Sequence, residues 1–193
     1  MNPDPDNFPA PEPLRLQPAP RPFADIRTFR ESMAAMASTA CLVTTQLGTE
    51  RLGRTVTSTF SLSVEPPSIV VSIDMSSRLV DHIVKTGGFS FAMLALDQDA
   101  IADAFAGKVE PQHRFDTGRW TSWTSGHPRL LGAVAAMDCA VLGTVDAGTH
   151  LLVVGGVVDI DLASGRSPLI WQQRQYRALS GQSAAEKPSP VRA

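Results

Sequence analysis

The sequence predicts a mainly β protein, an antiparallel β-barrel with a few peripheral helices. Apolar residues alternate with hydroxyl residues from Thr55 to Val64, which is the period of a strand with one apolar face. Two long strand patterns, residues 131–145 and 150–162, flank a short turn that contains glycine and therefore form a hairpin. The helical patterns are few and strand patterns separate them, which favours a decorated antiparallel barrel over an alternating α/β fold.

Shorter strand patterns occupy the first half of the chain. Residues 41–45 indicate one strand, residues 68–74 a buried strand, and residues 89–93 a third. Residues 65–67, Glu-Pro-Pro, end the strand that begins at Thr55, because consecutive prolines cannot join a central ladder.

Three helices are predicted between these strands. Residues 25–37 place apolar side chains at helical spacing. Ser77 is the expected N-cap of a second helix, which ends at Gly87. Asp97 is the expected cap of a third, short helix that stops at Gly107.

The distribution of proline defines the domain boundaries. Eight of the fifteen prolines precede Phe23, so residues 1–24 are predicted to be a disordered Pro-rich arm. Residues 25–179 form the predicted domain, a size that suits one core. Residues 180–193 are polar and predict a flexible tail. The arm is either a partner-docking segment or simply a mobile terminus.

Composition and charge exclude several classes of protein. A net charge of −2 argues against a nucleic-acid groove and against a polybasic membrane patch. Two cysteines cannot build a disulfide framework, and the four histidines are scattered, so no metal site is expected. The chain has neither a membrane-length apolar run nor a signal-like start, which predicts a cytoplasmic protein.

Two glycine motifs resemble nucleotide-binding loops but lack the required context. Residues 48–55 nearly match a phosphate-binding G-x-x-x-x-G-K-[ST] loop, with Arg54 in the lysine position. A strand follows this segment instead of a helix, so a hairpin turn is the better interpretation. Gly155 and Gly156 lie within a strand pattern and predict a bulge or a close backbone approach, not a dinucleotide fingerprint.

One candidate anion site follows the buried strand. Backbone amides at the start of the second helix, the hydroxyls of Ser76 and Ser77, and Arg78 could together hold a phosphate. The alternative is that Ser77 only caps its helix while Arg78 is solvated. The residues alone leave both interpretations open.

A longer pattern resembles a known family. Residues 53–67, Gly-Arg-Thr-Val-Thr-Ser-Thr-Phe-Ser-Leu-Ser-Val-Glu-Pro-Pro, are similar to the G-x-T-[VA]-[ST]-S-x-x-S-[VL]-S-x-x-P-P segment of the flavin reductase family. These short-chain reductases have a flavin-binding split barrel and serve two-component monooxygenases. Further similar segments follow in the family's order, at residues 76–78, 88–94, 101–107, 114–115, 126–132, 138–139, 148–150 and 168–176.

The resemblance spans residues 29–179 and implies both a fold and an activity. It implies a homodimer of split β-barrels that bind FMN or FAD near the dimer interface. NADH or NADPH would donate hydride to the flavin, and a separate flavin-dependent monooxygenase would receive the reduced flavin. Two other functions stay open: a barrel that retains its flavin and acts on a bound small molecule, and a non-catalytic flavin- or haem-binding carrier or sensor.

The resemblance also implies site residues. Residues 55–58 would line the flavin ring and ribityl chain, residues 74 and 76–78 would lie near the ribityl phosphate, and residues 105–107 would cover the same region. His150 would lie beside the ring where nicotinamide stacks and is the candidate catalytic residue. The implied cofactor-binding residues are Arg54, Thr55, Val56, Thr57, Ser58, Asp74, Ser76, Ser77, Arg78, Phe105, Ala106, Gly107 and Tyr176.

Two positions depart from the family pattern. Arg54 stands where the family commonly has a small or apolar residue, and it is expected to add a phosphate or adenine contact. Thr149 precedes His150 where the family often has aspartate, which removes a carboxylate beside the histidine. His150 has two interpretations, a residue that orients nicotinamide or balances charge on reduced flavin, and a rim histidine bonded to a loop carbonyl.

Overall fold

The structure, a computed structural model, describes residues 12–14 and 19–179 and consists mainly of β-strands. The predictions for residues 1–11, 15–18 and 180–193 lie outside the described residues. The strands are β1 Glu12–Pro13, β2 Ser38–Thr39, β3 Cys41–Leu47, β4 Glu50–Val56, β5 Thr59–Val64, β6 Pro67–Asp74, β7 Gly88–Met93, β8 Trp120–Ser122, β9 Pro128–Leu130, β10 Ala135–Asp146, β11 His150–Leu162, β12 Ile170–Gln172 and β13 Gln175–Arg177. The helices are α1 Ile26–Ala35, α2 Arg78–Thr86 and α3 Asp99–Asp103, with a π-helical turn at Ala104–Lys108 and a 3₁₀ helix at Pro111–Asp116.

One large sheet organises the molecule. Its strands follow the order β4-β3-β7-β10-β11-β6-β5, and every pairing along this path is antiparallel. The short β1 adds a parallel pairing to the end of β10, where Leu14 N donates to Asp146 O at 2.8 Å. The predicted mainly β, antiparallel architecture is confirmed. Within the described ranges, no helix is long and apolar enough to span a membrane.

The main core lies between the sheet and α2. Val71, Phe89 and Val153 are fully buried on the sheet, and they belong to one cluster with Leu79 and Ile83 of α2. Helix α2 has both predicted ends: the Ser77 side chain accepts from Leu79 N, and Gly87 adopts a left-handed φ of 66°. Helix α2 thereby begins at Arg78, and residues 75–77 separate it from the end of β6 at Asp74.

The single strand predicted from Thr55 to Val64 is two strands. β4 pairs with β3 at one end of the sheet path, whereas β5 pairs with β6 at the other end. The chain must change pairing partner between them, and it does so at residues 57–58. The alternation of side chains continues through this break, so the pattern alone did not reveal it.

The third helix begins differently from the prediction. Its N-cap is Gln98, not Asp97. Asp97 instead accepts a 2.6 Å bond from Arg166, a partner 69 residues away in the sequence. The stop at Gly107 is confirmed by a φ of 106°, although the last turn before it is π-helical.

The close backbone approach predicted at the two strand glycines is found at Gly155. A Cβ on Gly155 would lie 2.5 Å from the ring of Phe89, so only glycine fits there without movement. The pairing of β10 with β11 shifts register on either side of the glycine pair, between Asp138 and Cys139 and between Val141 and Gly143. The bulges therefore flank the glycine pair.

Candidate functional site

A cavity of about 190 Å³ lies where β4 ends. Its walls combine hydroxyl groups with one arginine, one aspartate and one histidine. The lining residues are Arg54, Thr55, Val56, Thr57, Ser58, Ser72, Ile73, Asp74 and His150. Seven of the predicted site residues, residues 54–58, 74 and 150, thus lie around one space.

The sheet curls so that both ends of its strand order reach this cavity. β4 is the first strand of the path, and β6 is next to the last. A backbone bond of 3.0 Å from Ser72 N to Ser58 O joins the two ends at the cavity wall. β11 pairs with β6 in a register that sets His150 opposite Asp74. Residues far apart in sequence therefore share one wall.

Asp74 is held as an ionised carboxylate. Its Oδ1 accepts from Ser76 Oγ at 2.7 Å and from Ser76 N at 2.8 Å. These bonds, with smaller contributions from His150 and Arg54, hold the pKa of Asp74 below its usual range. The hydroxyl of Ser76 is consequently directed at Asp74.

His150 is carried by a short, well-bonded hairpin. Ala147 N donates to His150 O at 2.9 Å, and Gly148 N donates to Asp146 Oδ1 at 2.8 Å. Met75 N donates to Thr149 O at 3.0 Å, which fastens the hairpin to the end of β6. The His150 side chain is exposed, and its Nδ1 lies 3.0 Å from Thr149 Oγ1.

Residues 76–78 follow the cavity wall but do not line the cavity. Ser77 caps α2, with Leu79 N 3.4 Å from its Oγ. Arg78 Nη2 lies 2.8 Å from both carboxylate oxygens of Glu50. Ser77 is the N-cap of α2 as predicted, and Arg78 is ion-paired to Glu50 with its side chain still 69% exposed.

A second cavity of about 190 Å³ shares residues 55–57 with the first. Its remaining walls are Ala40, Ala106, Trp171 and Tyr176. The Trp171 and Tyr176 rings meet edge to face, with centroids 4.9 Å apart. This cavity is therefore mainly apolar and aromatic, unlike its hydroxyl-lined neighbour.

The position of the Tyr176 side chain is fixed by a hydrogen bond to the carboxylate of Asp103. Its hydroxyl donates to Asp103 Oδ1 at 2.9 Å, and Lys108 Nζ lies 2.8 Å from Asp103 Oδ2. Burial and this bond raise the pKa of Tyr176, while the lysine lowers the pKa of Asp103. The phenol thus stays a neutral donor, with its ring at the cavity wall.

Phe105 and Gly107 line neither cavity. The Phe105 ring is buried, with the ring of Phe115 5.0 Å away and that of Trp120 5.7 Å away. It also underlies β4, because a Cβ on Gly53 would lie 2.7 Å from Phe105 Cε1. Phe105 supports the strand that carries residues 54–56, and Gly107 shapes the exposed turn beside Ala106.

The structure adds Ser72 and Trp171 to the candidate site. Ser72 could have been found from period two, since it lies two residues before Asp74 on the same face of a predicted strand. Trp171 lies in a segment similar to the family, but only its cross-strand pairing with Tyr176 indicates its role.

The donor set of the two cavities suits a flavin nucleotide. Hydroxyl side chains can bond a polyol chain, a guanidinium can neutralise a phosphate, and an aromatic wall can pack against a planar ring.

Thr57 lines both cavities and also a third groove of about 470 Å³, so the three spaces meet at one residue.

Comparisons with known proteins agree with this chemistry. Residues 33–180 match the family described as flavin reductase like domain. The chain is 32% identical to the FMN reductase (NADH) RutF of Ancylobacter novellus, over 84% of this chain and 90% of that protein. It is 35% identical to the reductase component of the FADH(2)-dependent resorcinol hydroxylase of Rhizobium sp. strain MTP-10005, over 80% and 87%.

A solved structure has the same fold. The chain superposes on BorF, the flavin reductase component of a bacterial two-component tryptophan halogenase, with a TM-score of 0.75 and 27% identity. The match covers 82% of this chain and all of that one. Since the family match alone spans more than half of the residues, the chain belongs to the flavin reductase like domain family.

Proposed function

We propose that this protein is an NAD(P)H-dependent flavin reductase that supplies reduced flavin to a separate monooxygenase. The observation that carries the proposal is the hydroxyl-lined cavity with Arg54 and His150, formed by the segment that resembles the family's flavin-binding segment. Relatives named as an FMN reductase (NADH) and as the reductase component of a hydroxylase support both the reaction and its context.

The protein's residues bind and orient the two nucleotides. When both are bound, they supply the chemistry themselves, hydride transfer from nicotinamide C4 to flavin N5. Thr57 and Ser58 present hydroxyl groups to the flavin's polyol chain, whereas the Thr55 hydroxyl donates to Ala102 O at 2.7 Å. Tyr176 and Trp171 provide an apolar wall. Catalysis by such a site rests on holding two rings at reacting distance.

His150 is the residue we propose beside the nicotinamide. It is exposed at the rim of the cavity, opposite Asp74 on the neighbouring strand. An imidazole there can orient the nicotinamide or balance negative charge on the flavin once it is reduced. Relatives include both FMN- and FADH(2)-named proteins, so both flavins are expected to be substrates.

We further propose that the curled sheet is a split barrel and that two copies form a homodimer. Large apolar side chains are exposed on β5 and on the second half of β11, including Leu62, Ile160 and Leu162. Phe60 lines the 470 Å³ groove with Met137, and Met137 pairs with Ile160, so this apolar surface is continuous. Exposed apolar surface of this extent is typical of an interface.

Helix α1 extends the same surface. Ile26, Phe29 and Met33 form an apolar stripe, and all three are about half exposed or more. The groove reaches Ala37 and Ser38, directly after this helix. A domain of residues 25–179, with its exposed stripe facing a second copy, is the unit that we propose; the cytoplasmic location stays a prediction.

The decisive experiment is absorbance at 340 nm with purified protein, reduced nicotinamide, and added FMN or FAD. We expect fast, flavin-dependent loss of absorbance, and the rates with NADH and NADPH rank the two donors. Titration of each flavin by fluorescence is run in parallel. Tight flavin binding without nicotinamide oxidation would overturn the reductase assignment and favour a retained-flavin or carrier protein.

A further inference from the structure

Two arginines near the cavity, Arg78 and Arg54, differ in whether another side chain holds them. Arg78, at the start of α2, is held by Glu50 of β4 through two contacts of 2.8 Å. Glu50 also lies 3.2 Å from Nε2 of His82, a histidine whose side chain is only 8% exposed. The guanidinium of Arg78 is therefore directed toward the β3–β4 hairpin and helps to fasten α2 to it.

The two serines beside Arg78 also have partners within the fold. Ser76 donates its hydroxyl to Asp74, and Ser77 accepts from the backbone of α2. A phosphate at this turn would have to compete with the Asp74 carboxylate for Ser76 and with Glu50 for Arg78.

Arg54 is in the opposite situation. It lines the cavity and is exposed, and no hydrogen bond or ion pair joins its guanidinium to another residue of the described chain. Its charge acts on Asp74 only through space. Removing solvent from this guanidinium would require an anionic partner, and a bound nucleotide brings one.

We infer that Arg54 is the phosphate-binding side chain of this site and that Arg78 is a positioning residue held by Glu50. The inference rests on the proposed function in that a nucleotide is the ligand. The shared chemistry is a nucleotide phosphate, supplied either by the flavin or by the nicotinamide dinucleotide. Arg54 thus makes this chain's site more phosphate-selective than a site with an apolar residue at the same position.

The test compares ligands with and without a phosphate. Riboflavin and FMN are titrated by fluorescence against wild type, Arg54→Met and Arg54→Lys. We expect Arg54→Met to weaken FMN binding about 10-fold, the size of a lost charge-assisted contact, and to leave riboflavin binding unchanged. Arg54→Lys is expected to recover part of the difference, and the salt dependence of FMN binding is expected to fall in Arg54→Met.

Two further variants serve as comparators. Arg51→Met removes the same charge from the same strand, at a residue whose guanidinium lies over the Phe115 ring 4.5 Å from its centroid. It should not discriminate between FMN and riboflavin. Arg78→Met should change both ligands equally, since it acts through the position of α2. An FMN-selective loss in Arg78→Met but not in Arg54→Met would overturn the assignment.

Kinetics with NADH and NADPH show whether the phosphate that Arg54 binds belongs to the flavin or to the nicotinamide dinucleotide. An Arg54→Met variant that binds FMN normally but has a raised KM for NADH or NADPH assigns Arg54 to the nicotinamide dinucleotide. No phosphate-selective change with either nucleotide would overturn the inference. Because the binding titration needs no turnover, a protein that binds FMN through Arg54 but oxidises no nicotinamide would contradict the proposed function and leave this inference standing.

Discussion

At the scale of single residues, His150 depends on its neighbour in the chain. The 3.0 Å contact between Thr149 Oγ1 and His150 Nδ1 lets the hydroxyl donate to that nitrogen. In the tautomer that accepts this bond, Nδ1 carries no proton and Nε2–H is the donor available to a ligand. A threonine supplies this orientation without the negative charge that an aspartate would add.

We expect His150→Ala to lower kcat/KM for reduced nicotinamide about 10-fold, with the dissociation constant of the flavin unchanged. Thr149→Val, which replaces the hydroxyl with a methyl group, should lower kcat/KM for reduced nicotinamide about threefold. Thr149→Ser, which keeps the hydroxyl, should have the wild-type value. Steady-state kinetics on the double variant are the control. If Thr149 acts through the imidazole, Thr149→Val has no further effect in the His150→Ala background.

The residue scale also shows how far the sequence could predict the site. Residues 54–58 and Asp74 were predicted together from the resemblance to the family's segments, and the structure places them around one cavity. The pairing of Arg78 with Glu50 could not be predicted, because 28 residues separate them and only the packing of α2 on the β3–β4 hairpin brings them into contact.

At the scale of elements, the end of β4 is positioned by its packing at Gly53 against Phe105 and Thr44. Gly53 has no positive φ, so its requirement for glycine is purely steric: an added Cβ would lie 2.7 Å from Phe105 and 2.8 Å from Thr44 Cγ2. Phe105 cannot easily move, since it is only 1% exposed and packed against Phe115 and Trp120.

Gly53→Ala is therefore expected to lower the free energy of unfolding by about 1–3 kcal/mol, the usual cost of overpacking a core. It should also weaken flavin binding, because Arg54 and Thr55 must shift. Urea denaturation and flavin titration measure the two effects. Gly143→Ala is the matched control, since its Cβ would meet nothing within 4 Å. A Gly53→Ala protein as stable as that control would contradict the steric explanation.

Element boundaries were predictable only where a local signal marks them. Ser77 and Gly87 bound α2 as expected, since both act on the helix directly. The break at residues 57–58 and the pairing of Asp97 with Arg166 depend on strands and loops distant in sequence. Threonine and serine are compatible both with a continuous strand and with a point where the chain changes its pairing partner. The sequence pattern through residues 57–58 is therefore ambiguous.

At the scale of the whole molecule, the sheet leaves an apolar surface exposed. Val64 is 87% exposed and Leu162 is 72% exposed, although both lie in strands. A periodic apolar pattern predicts a buried face but does not say whether the covering element belongs to the same chain. The exposed stripe of α1 has the same explanation if a second copy covers it.

We expect the wild-type protein to sediment with twice the monomer mass and Ile160→Asp to shift it toward the monomer, because a carboxylate would have to be buried in the interface. Analytical ultracentrifugation measures the change. Leu47→Asp, at the less exposed tip of the β3–β4 hairpin, is the control and should stay dimeric. A monomeric wild type, or loss of the dimer in the control alone, would contradict the proposed interface.

The gap between the two ends of the sheet has a consequence for the lifetime of the protein. The strand order does not pair β4 with β6, and the bond from Ser72 to Ser58 bridges them at the cavity. A nucleotide held by Arg54 on one side and by the wall of Ser72 and Asp74 on the other would link strands that the chain itself leaves apart. Since a ligand of the folded state stabilises it by mass action, local opening and proteolysis in the cell would then slow when flavin is abundant and quicken when it is scarce.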